Sequence, residues 1–345
     1  MNATLGASVI VPVLNEEGFI ERSVGAILEQ RFDRDFEVLV IDGGSEDRTL
    51  EIVKRLASED PRVRVLSNPA RLIPNALNIG LRSARGEYNA RMDAHTYYPP
   101  DYIALAVARF EAGGVECVSG PQEPHGEDDW SRRIAMALRT RLGIGGASFR
   151  NPRSEIEVDT AFTGVWRRST LIGLGGWDEA WPINEDAELA ARIRERGGRY
   201  VSIPEMAARY VPRRSLGALA LQYWRYGKYR EKTARAHPIG LRRSHILPPG
   251  VVLVTACALL APPQASRRAR RGLTAYGVAL AVGTAQAAAA ERAKIRDWAW
   301  LPVVFVTMHL SWGAGFLFGC LRFGPPLGAL ANLAGLGRDR PGHGA

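Results

Sequence analysis

Along the first half of the chain, short runs of β-branched and aliphatic residues alternate with stretches whose apolar positions recur every three or four residues. The runs fall at residues 7–13, 36–41, 63–66 and 87–92, and the helical patterns between them at 17–30, 47–57 and 74–84. Strands alternating with helices predict parallel βαβ units. The expected fold class is therefore α/β, a Rossmann-like, mostly parallel sheet flanked by helices. Such sheets bind ligands beyond the carboxyl ends of their strands, and here those ends carry PVLNEE (12–17), DGGSEDRT (42–49) and DAHT (93–96). A further helical pattern, NEDAELAARIRERGG from Asn184, places Ala187, Ala190 and Ile193 on one face, with Asn184 able to cap its start and Gly197 its end.

The pattern changes near residue 246, where acidic residues thin out and apolar stretches appear at about 246–263, 272–290 and 298–320. A membrane-crossing helix needs about 20 apolar residues. The second and third stretches meet that length; the first is shorter and bracketed by prolines, which suits a marginal span, a re-entrant hairpin or an interfacial helix. Trp298, Trp300 and Trp312 and the arginine-rich joints resemble interface anchors. The positive-inside rule keeps the basic joint SRRARR (266–271) on the cytoplasmic side. That is met if the first stretch stays on one face while the last two cross, giving a multi-pass inner-membrane protein with a cytoplasmic first domain. The expected division is 1–240 for the α/β domain, 246–321 for the helical membrane region and 322–345 for a tail, rich in Gly, Pro and Ala, that is at least partly disordered.

The 345 residues carry a formal charge of +9, pointing to an anionic partner: a phosphate-bearing substrate, nucleic acid or acidic lipid headgroups. Cys117, Cys257 and Cys320 are odd in number and far apart, which predicts neither a disulfide framework nor a zinc site. The first residues run straight into a strand pattern without a basic n-region or cleavage site, so a secretory signal peptide is not expected.

Several polar residues suit chemistry at the strand ends. Asp42 closes an apolar strand before Gly43, Gly44 and Ser45, where its carboxylate can accept hydrogen bonds from a base or ribose. Asp93 and His95 stand two residues apart on a loop, a spacing at which oxygen and imidazole can face one divalent cation, with imidazole shifting preference from Mg²⁺ toward Mn²⁺. Glu185 and Asp186 open the later helix; acids there serve the helix dipole, and Asp186 is also placed to take a proton from an acceptor hydroxyl. Gly164 lies in a turn where backbone could approach a sugar. The segment QYWRYGKYR (222–230) fits a nucleic-acid surface, a membrane-surface helix or a diphosphate clamp.

Together these pieces resemble family 2 glycosyltransferases with the GT-A fold, and are similar to the bacterial succinoglycan-type, exopolysaccharide-building members. The resemblance rests on VIVPVLNEE (9–17), VLVIDGGSEDRT (38–49), NALNIGLRSARG (75–86), Asp93 to His95, Thr163-Gly164, NEDAEL (184–189) and QYWRYGK (222–228). It implies that Pro12, Asn15 and Glu16 line the nucleotide pocket, with Gly44 and Gly164 beside the donor. Asp42 would contact the uracil of a UDP-sugar, and Asp93 the ribose and metal region. Asp186 would be the catalytic base with Glu185 beside it, while Gln222, Trp224 and Arg225 would close over diphosphate and acceptor. Many relatives have a second Asp where His95 stands, which makes Mn²⁺ rather than Mg²⁺ the expected ion. The implied activity is inverting transfer to a lipid-linked saccharide. A polyprenyl-phosphate sugar transferase is the alternative within the enzyme class. A basic nucleic-acid-binding protein is disfavoured by the acidic strand ends, and a nicotinamide enzyme by the missing G-x-G-x-x-G turn.

Overall fold

The computed structural model describes residues 5–144, 154–290 and 294–336. These residues fall into two compact units: 1–123 with 148–210, and 124–147 with 211–345.

The first unit is built on strands β1 (Ala7–Val13), β2 (Phe36–Asp42), β3 (Val63–Ser67), β4 (Tyr88–Arg91), β5 (Thr96–Tyr97), β6 (Cys117–Ser119), β7 (Gln122–Pro124), β8 (Ile156–Glu157), β9 (Val165–Arg167), β10 (Tyr200–Ser202) and β11 (Ala208–Tyr210). Its main sheet has the order β3-β2-β1-β4-β9-β6-β10-β8, and a small second sheet the order β5-β11-β7. Strands β3, β2, β1 and β4 pair in parallel, while β9 runs antiparallel to both β4 and β6.

Both faces of this sheet are covered, as parallel strands require. On one face Val9, Val11, Val38, Val40 and Ala90 pack against α1 (Ile20–Leu28), α2 (Thr49–Glu59) and, after α3 (Ile73–Ser83), against α4 (Tyr102–Glu111). On the other, Ile10, Leu39 and Ile41 meet α3 through Ala76, Leu77 and Leu81. A Cβ on Gly80 would stand 2.5 Å from Ile10 Cγ2, so the missing side chain is what lets α3 lie on β1. The helices α5 (Asp129–Leu138) and α6 (Arg141–Ile144) belong to the second unit; α7 (Arg168–Gly173) and α8 (Glu185–Glu195) return to the first, where α8 buries Leu189, Ala190 and Ile193 on the α3 face.

The second unit adds α9 (Leu216–Ala236), α10 (Leu247–Leu260), α11 (Pro263–Ala290), α12 (Ile295–Phe323) and α13 (Leu327–Leu333). Among the described residues, three helical segments in it are long and apolar enough to cross a membrane: Arg243–Leu260, Pro263–Ala290 and Arg296–Phe323. Three details differ from the sequence reading. The basic segment 266–271 is not a loop but the opening of α11, because Ala, Arg and Gln are good helix formers and Pro263 suits a first turn. Residues 327–333 of the tail form α13, an Ala/Leu stretch that buries Ala329. The helix α9 groups with the apolar helices, whereas composition puts it with the α/β domain.

Candidate active site

The loops leaving β1 and β2 are joined side by side by hydrogen bonds from backbone N–H groups to short polar side chains. Asp42 ends β2 with its carboxylate turned onto its own loop. Its Oδ2 accepts from the Gly44 N–H at 3.0 Å and its Oδ1 from the Ser45 hydroxyl at 2.6 Å. Gly44 holds φ +77°, a value that favours glycine. Across the gap, the Asn15 N–H donates to Ser45 Oγ at 2.9 Å and Asn15 Oδ1 accepts from the Glu46 N–H at 2.8 Å. The Glu16 N–H reaches Thr49 Oγ1 at 2.7 Å, and the Glu17 N–H reaches Asp47 Oδ2 at 3.1 Å. Burial alone would raise the Asp47 pKa, but the N–H and hydroxyl donors of Thr49 and the Glu17 N–H hold it below its ordinary value. Pro12, Asn15, Glu16, Asp42 and Gly44 are thus brought together at the carboxyl ends of adjacent strands.

A different construction stands at the end of β4. Arg91 is buried, as are Asp93 and Glu185. Its Nε donates to Asp93 Oδ1 at 2.9 Å, its Nη2 to Asp93 Oδ2 at 3.3 Å and its Nη1 to Glu185 Oε1 at 2.8 Å. The guanidinium also lies 5.5 Å from the Phe162 ring centre. Burial works to lower the Arg91 pKa, yet the charges of Asp93 and Glu185 raise it above its ordinary value. Glu185 is pushed up to about 7, first by burial and then, against the pull of Arg91, by the neighbouring Asp186 charge. The Asp93 N–H donates to the Tyr98 hydroxyl at 2.9 Å, and burial followed by the Asp93 charge pushes that phenol well above its usual range.

His95 joins the two constructions: its Nδ1 lies 3.2 Å from Glu16 Oε1, while the Thr96 N–H donates to the Asp93 carbonyl at 3.1 Å in the same turn. The pair Asp93 and His95 fits a divalent cation by donor chemistry. Asp93 spends one bond per oxygen on Arg91 and a carboxylate has about four lone-pair sites, so acceptor capacity remains. No group of three His, Cys, Asp or Glu side chains that could hold a metal occurs among the described residues. Two protein donors would leave the other positions to phosphate oxygens and water, as in many Mg²⁺ and Mn²⁺ sites.

At the start of α8 the two neighbouring acids part ways. Glu185 turns inward to Arg91, while Asp186 is half-buried with its Oδ1 accepting the Ala187 N–H at 2.7 Å. Asn184 does precede the helix, but in the left-handed region (φ 64°) and without the side-chain cap expected of it. Gly164 has a packing role as well. A Cβ there would meet Cys117 Sγ at 2.7 Å and the Trp166 ring at 3.1 Å, so the core demands the glycine, while its carbonyl accepts the Arg91 N–H at 2.9 Å. Gln222, Trp224 and Arg225 lie on α9 of the second unit. Gln222 donates to the Tyr226 hydroxyl at 2.9 Å, Trp224 packs 5.4 Å from Phe318 of α12, and Arg225 is exposed.

Sequence reading missed Arg91, Tyr98 and Phe162. The available signal for Arg91 was a lone cation ending an apolar strand two residues before Asp93, a place where only a paired charge is tolerated. A cavity of 800 Å³ in this unit is lined by Asn78, Arg82, Arg168, Trp177 and Arg192 among others, and by none of the expected donor-binding residues.

Comparison with known proteins bears on this geometry. Residues 8–171 match the model of glycosyl transferase family 2. The succinoglycan biosynthesis protein ExoA of Rhizobium meliloti (strain 1021) is 32% identical over 324 residues, covering 91% of this chain and 95% of the relative. A Methanococcus voltae protein, the dolichyl N-acetyl-alpha-D-glucosaminyl phosphate 3-beta-D-2,3-diacetamido-2,3-dideoxy-beta-D-glucuronosyltransferase, is 23% identical over 233 residues, covering 64% of this chain and 71% of its own. Among solved structures, the mannosyltransferase PcManGT from Pyrobaculum calidifontis, in complex with GDP-Man and Mn²⁺, superposes with a TM-score of 0.58 at 22% identity, covering 93% of this chain and 88% of that one. The last likeness bears on the fold.

Proposed function

Because the chain belongs to glycosyl transferase family 2, we propose that it moves a sugar from a nucleoside-diphosphate donor, UDP before GDP, to a hydroxyl of a lipid-linked saccharide with inversion. The observation that carries the reading is the parting of Glu185 and Asp186. Glu185 faces Arg91 inside the buried cluster, whereas Asp186 lies half-buried at the helix start, a position suited to receive a proton. In the proposed step the acceptor oxygen attacks C1 as its proton passes to Asp186, and the bond from C1 to the diphosphate oxygen breaks.

The joined β1 and β2 loops supply the nucleotide pocket, with Asp42 toward the base and Asn15 and Glu16 beside it. Asp93 and His95 would hold a divalent cation, Mn²⁺ before Mg²⁺, which when bound neutralises diphosphate charge. Gln222, Trp224 and Arg225 are assigned to diphosphate and acceptor. The likeness to a succinoglycan biosynthesis protein supports a role in exopolysaccharide synthesis at the inner membrane, catalytic unit in the cytoplasm. The Methanococcus relative, named for a lipid phosphate-linked sugar, supports a lipid-linked saccharide over a bare polyprenyl phosphate.

The test is Asp186→Asn in a transfer assay beside calorimetric titration with UDP and GDP, each with and without Mn²⁺. Transfer should fall roughly 10²- to 10⁴-fold with nucleotide affinity unchanged. Near-normal transfer would reject Asp186 as the base, and binding of neither nucleotide would reject the donor class.

A further inference from the structure

The most apolar of the three candidate spans is the one least available to lipid. Over its best window the segment Arg296–Phe323 is 39% buried, against 11% for Arg243–Leu260. Helix α12 buries Leu301, Val304, Phe305, Met308 and Phe316, and both halves of it are lined by other helices of the unit. Beside its first half run α5 and α6: Arg133 Nε donates to the buried Asp297 at 2.8 Å, Trp130 stacks edge-on to Trp300, and His309 Nε2 lies 3.1 Å from the Leu142 carbonyl. Along its second half runs α9, at backbone contact. A Cβ on Gly315 would stand 2.0 Å from the Trp224 carbonyl oxygen, and one on Gly319 2.9 Å from Glu231 Cβ.

In this stretch α9 reads WRYGKYREKTAR, with Arg225, Lys228, Arg230, Glu231, Lys232 and Arg235 inside twelve residues. Carrying α12 across the hydrocarbon would carry these charges beside it, and every cation held near the bilayer centre makes crossing less favourable. The helix α12 is thus the core of its own unit. The 14 residues of α10 alone extend about 21 Å; the segment reaches spanning length only with the preceding 3-10 turn Arg243–Ile246, which opens on a charged arginine.

What α10 does present is an outward apolar face ending at the turn into α11. Leu253 is 57% exposed, Leu259 78% and Leu260 85%, on a helix that has no charged residue. Immediately after the turn, Arg267, Arg268, Arg270 and Arg271 are all exposed on the first turns of α11. Leucines and arginines at one hairpin tip match the boundary between acyl chains and phosphate headgroups. Were the hairpin to span, four arginines would have to cross to the far side, against the positive-inside rule.

We propose that the helical unit is monotopic: the α10–α11 tip sinks its leucines into one leaflet of an anionic bilayer, the four arginines hold lipid phosphates, and no helix crosses. This replaces the multi-pass arrangement expected from composition. It rests on the membrane association proposed above, and not on the donor or the reaction.

The test is labelling by a membrane-impermeant maleimide in sealed vesicles of both orientations, with the full chain carrying Cys257→Ser and Cys320→Ser. Cys117 is buried and stays. One reporter is Gln264→Cys at the tip, the other Lys54→Cys on α2. Both reporters should label in the same vesicle orientation and neither in the other. Gln264→Cys labelling only from the face opposite Lys54→Cys overturns the proposal while leaving membrane association intact. Recovery of the chain outside the vesicles would instead reject membrane association. In a second arm, replacing the four arginines by glutamine should weaken binding to phosphatidylglycerol vesicles roughly 10²- to 10³-fold relative to phosphatidylcholine vesicles. Equal binding of parent and variant to both would remove the phosphate contact.

Discussion

The two walls of the candidate site are built on opposite principles. At the ends of β1 and β2 the wall is partly exposed, and short side chains satisfy backbone N–H groups that the turns leave over: Asp42 for Gly44 and Ser45, Asn15 for Glu46, Thr49 for Glu16. At the end of β4 the wall is a buried charge cluster, in which Arg91 ties Asp93, two residues beyond the strand end, to Glu185, 94 positions away on α8. Each bond of the first wall can be lost with a modest cost, because water can replace the lost partner. In the second, removing one member leaves a charge out of water with nothing to balance it. The first wall therefore suits a nucleotide that must enter and leave, and the second fixes where β4 stands relative to the start of α8.

The largest effect that this contrast predicts is for Arg91→Met. Asp93 and Glu185 would be left as buried carboxylates without their cation, a loss of about 3–5 kcal/mol. Chemical denaturation should show that loss, and sugar transfer should vanish even at temperatures where the variant is folded, because Asp93 and the α8 start lose their common tie. A variant as stable as the parent would mean that the cluster does not hold the wall together.

A smaller effect, with a definite direction in pH, comes from Glu185. Its pKa is raised to about 7 from an ordinary value of 4.5, so the folded chain binds this proton at pH values where the unfolded chain has released it. By linkage, its contribution to stability is full below the unfolded pKa and is lost as pH rises from about 4.5 through 7. Glu185→Gln keeps a neutral group of similar shape and removes that titration. The parent should lose on the order of 2 kcal/mol more than the variant between about pH 5 and 7.5. Parallel stability curves for the two proteins over that window would sink the assignment.

The same contrast explains what could be read from the chain beforehand. The strands β1 to β4, the helices between them and the α8 pattern follow from local periodicity and lie within a few residues of their expected bounds. The first wall was legible for the same reason, since Asn15, Glu16, Asp42 and Gly44 each sit just past an apolar run. Arg91 was not legible, because its meaning depends on Glu185, and nothing in a 94-residue interval announces that the two will meet. At Gly164 the sequence suggests a turn where backbone could approach a sugar; that Cys117 and Trp166 also exclude a side chain there is again a contact between distant segments. On α9, the charged and aromatic residues of 222–230 left several roles open, and the close approach of Gly227, Gly315 and Gly319 that joins α9 to α12 has no periodic signature in the charges.

The smallest effect sharpens the first wall alone. Ser45 bridges the two loops: its hydroxyl donates to Asp42 Oδ1 at 2.6 Å and accepts from the Asn15 N–H at 2.9 Å. In Ser45→Ala both bonds are lost, but Asn15 is exposed and Asp42 keeps its bonds to the N–H groups of Gly44 and residue 45, so water compensates much of the loss. Stability should fall by about 1 kcal/mol. On the proposed placing of the nucleotide between these loops, affinity should weaken roughly fivefold, the change that about 1 kcal/mol corresponds to. Titration of parent and variant with UDP, beside their thermal unfolding, reads both quantities. A variant that loses nucleotide binding altogether would mean that this wall, like the one at β4, depends on every member, and the contrast between the two would be gone.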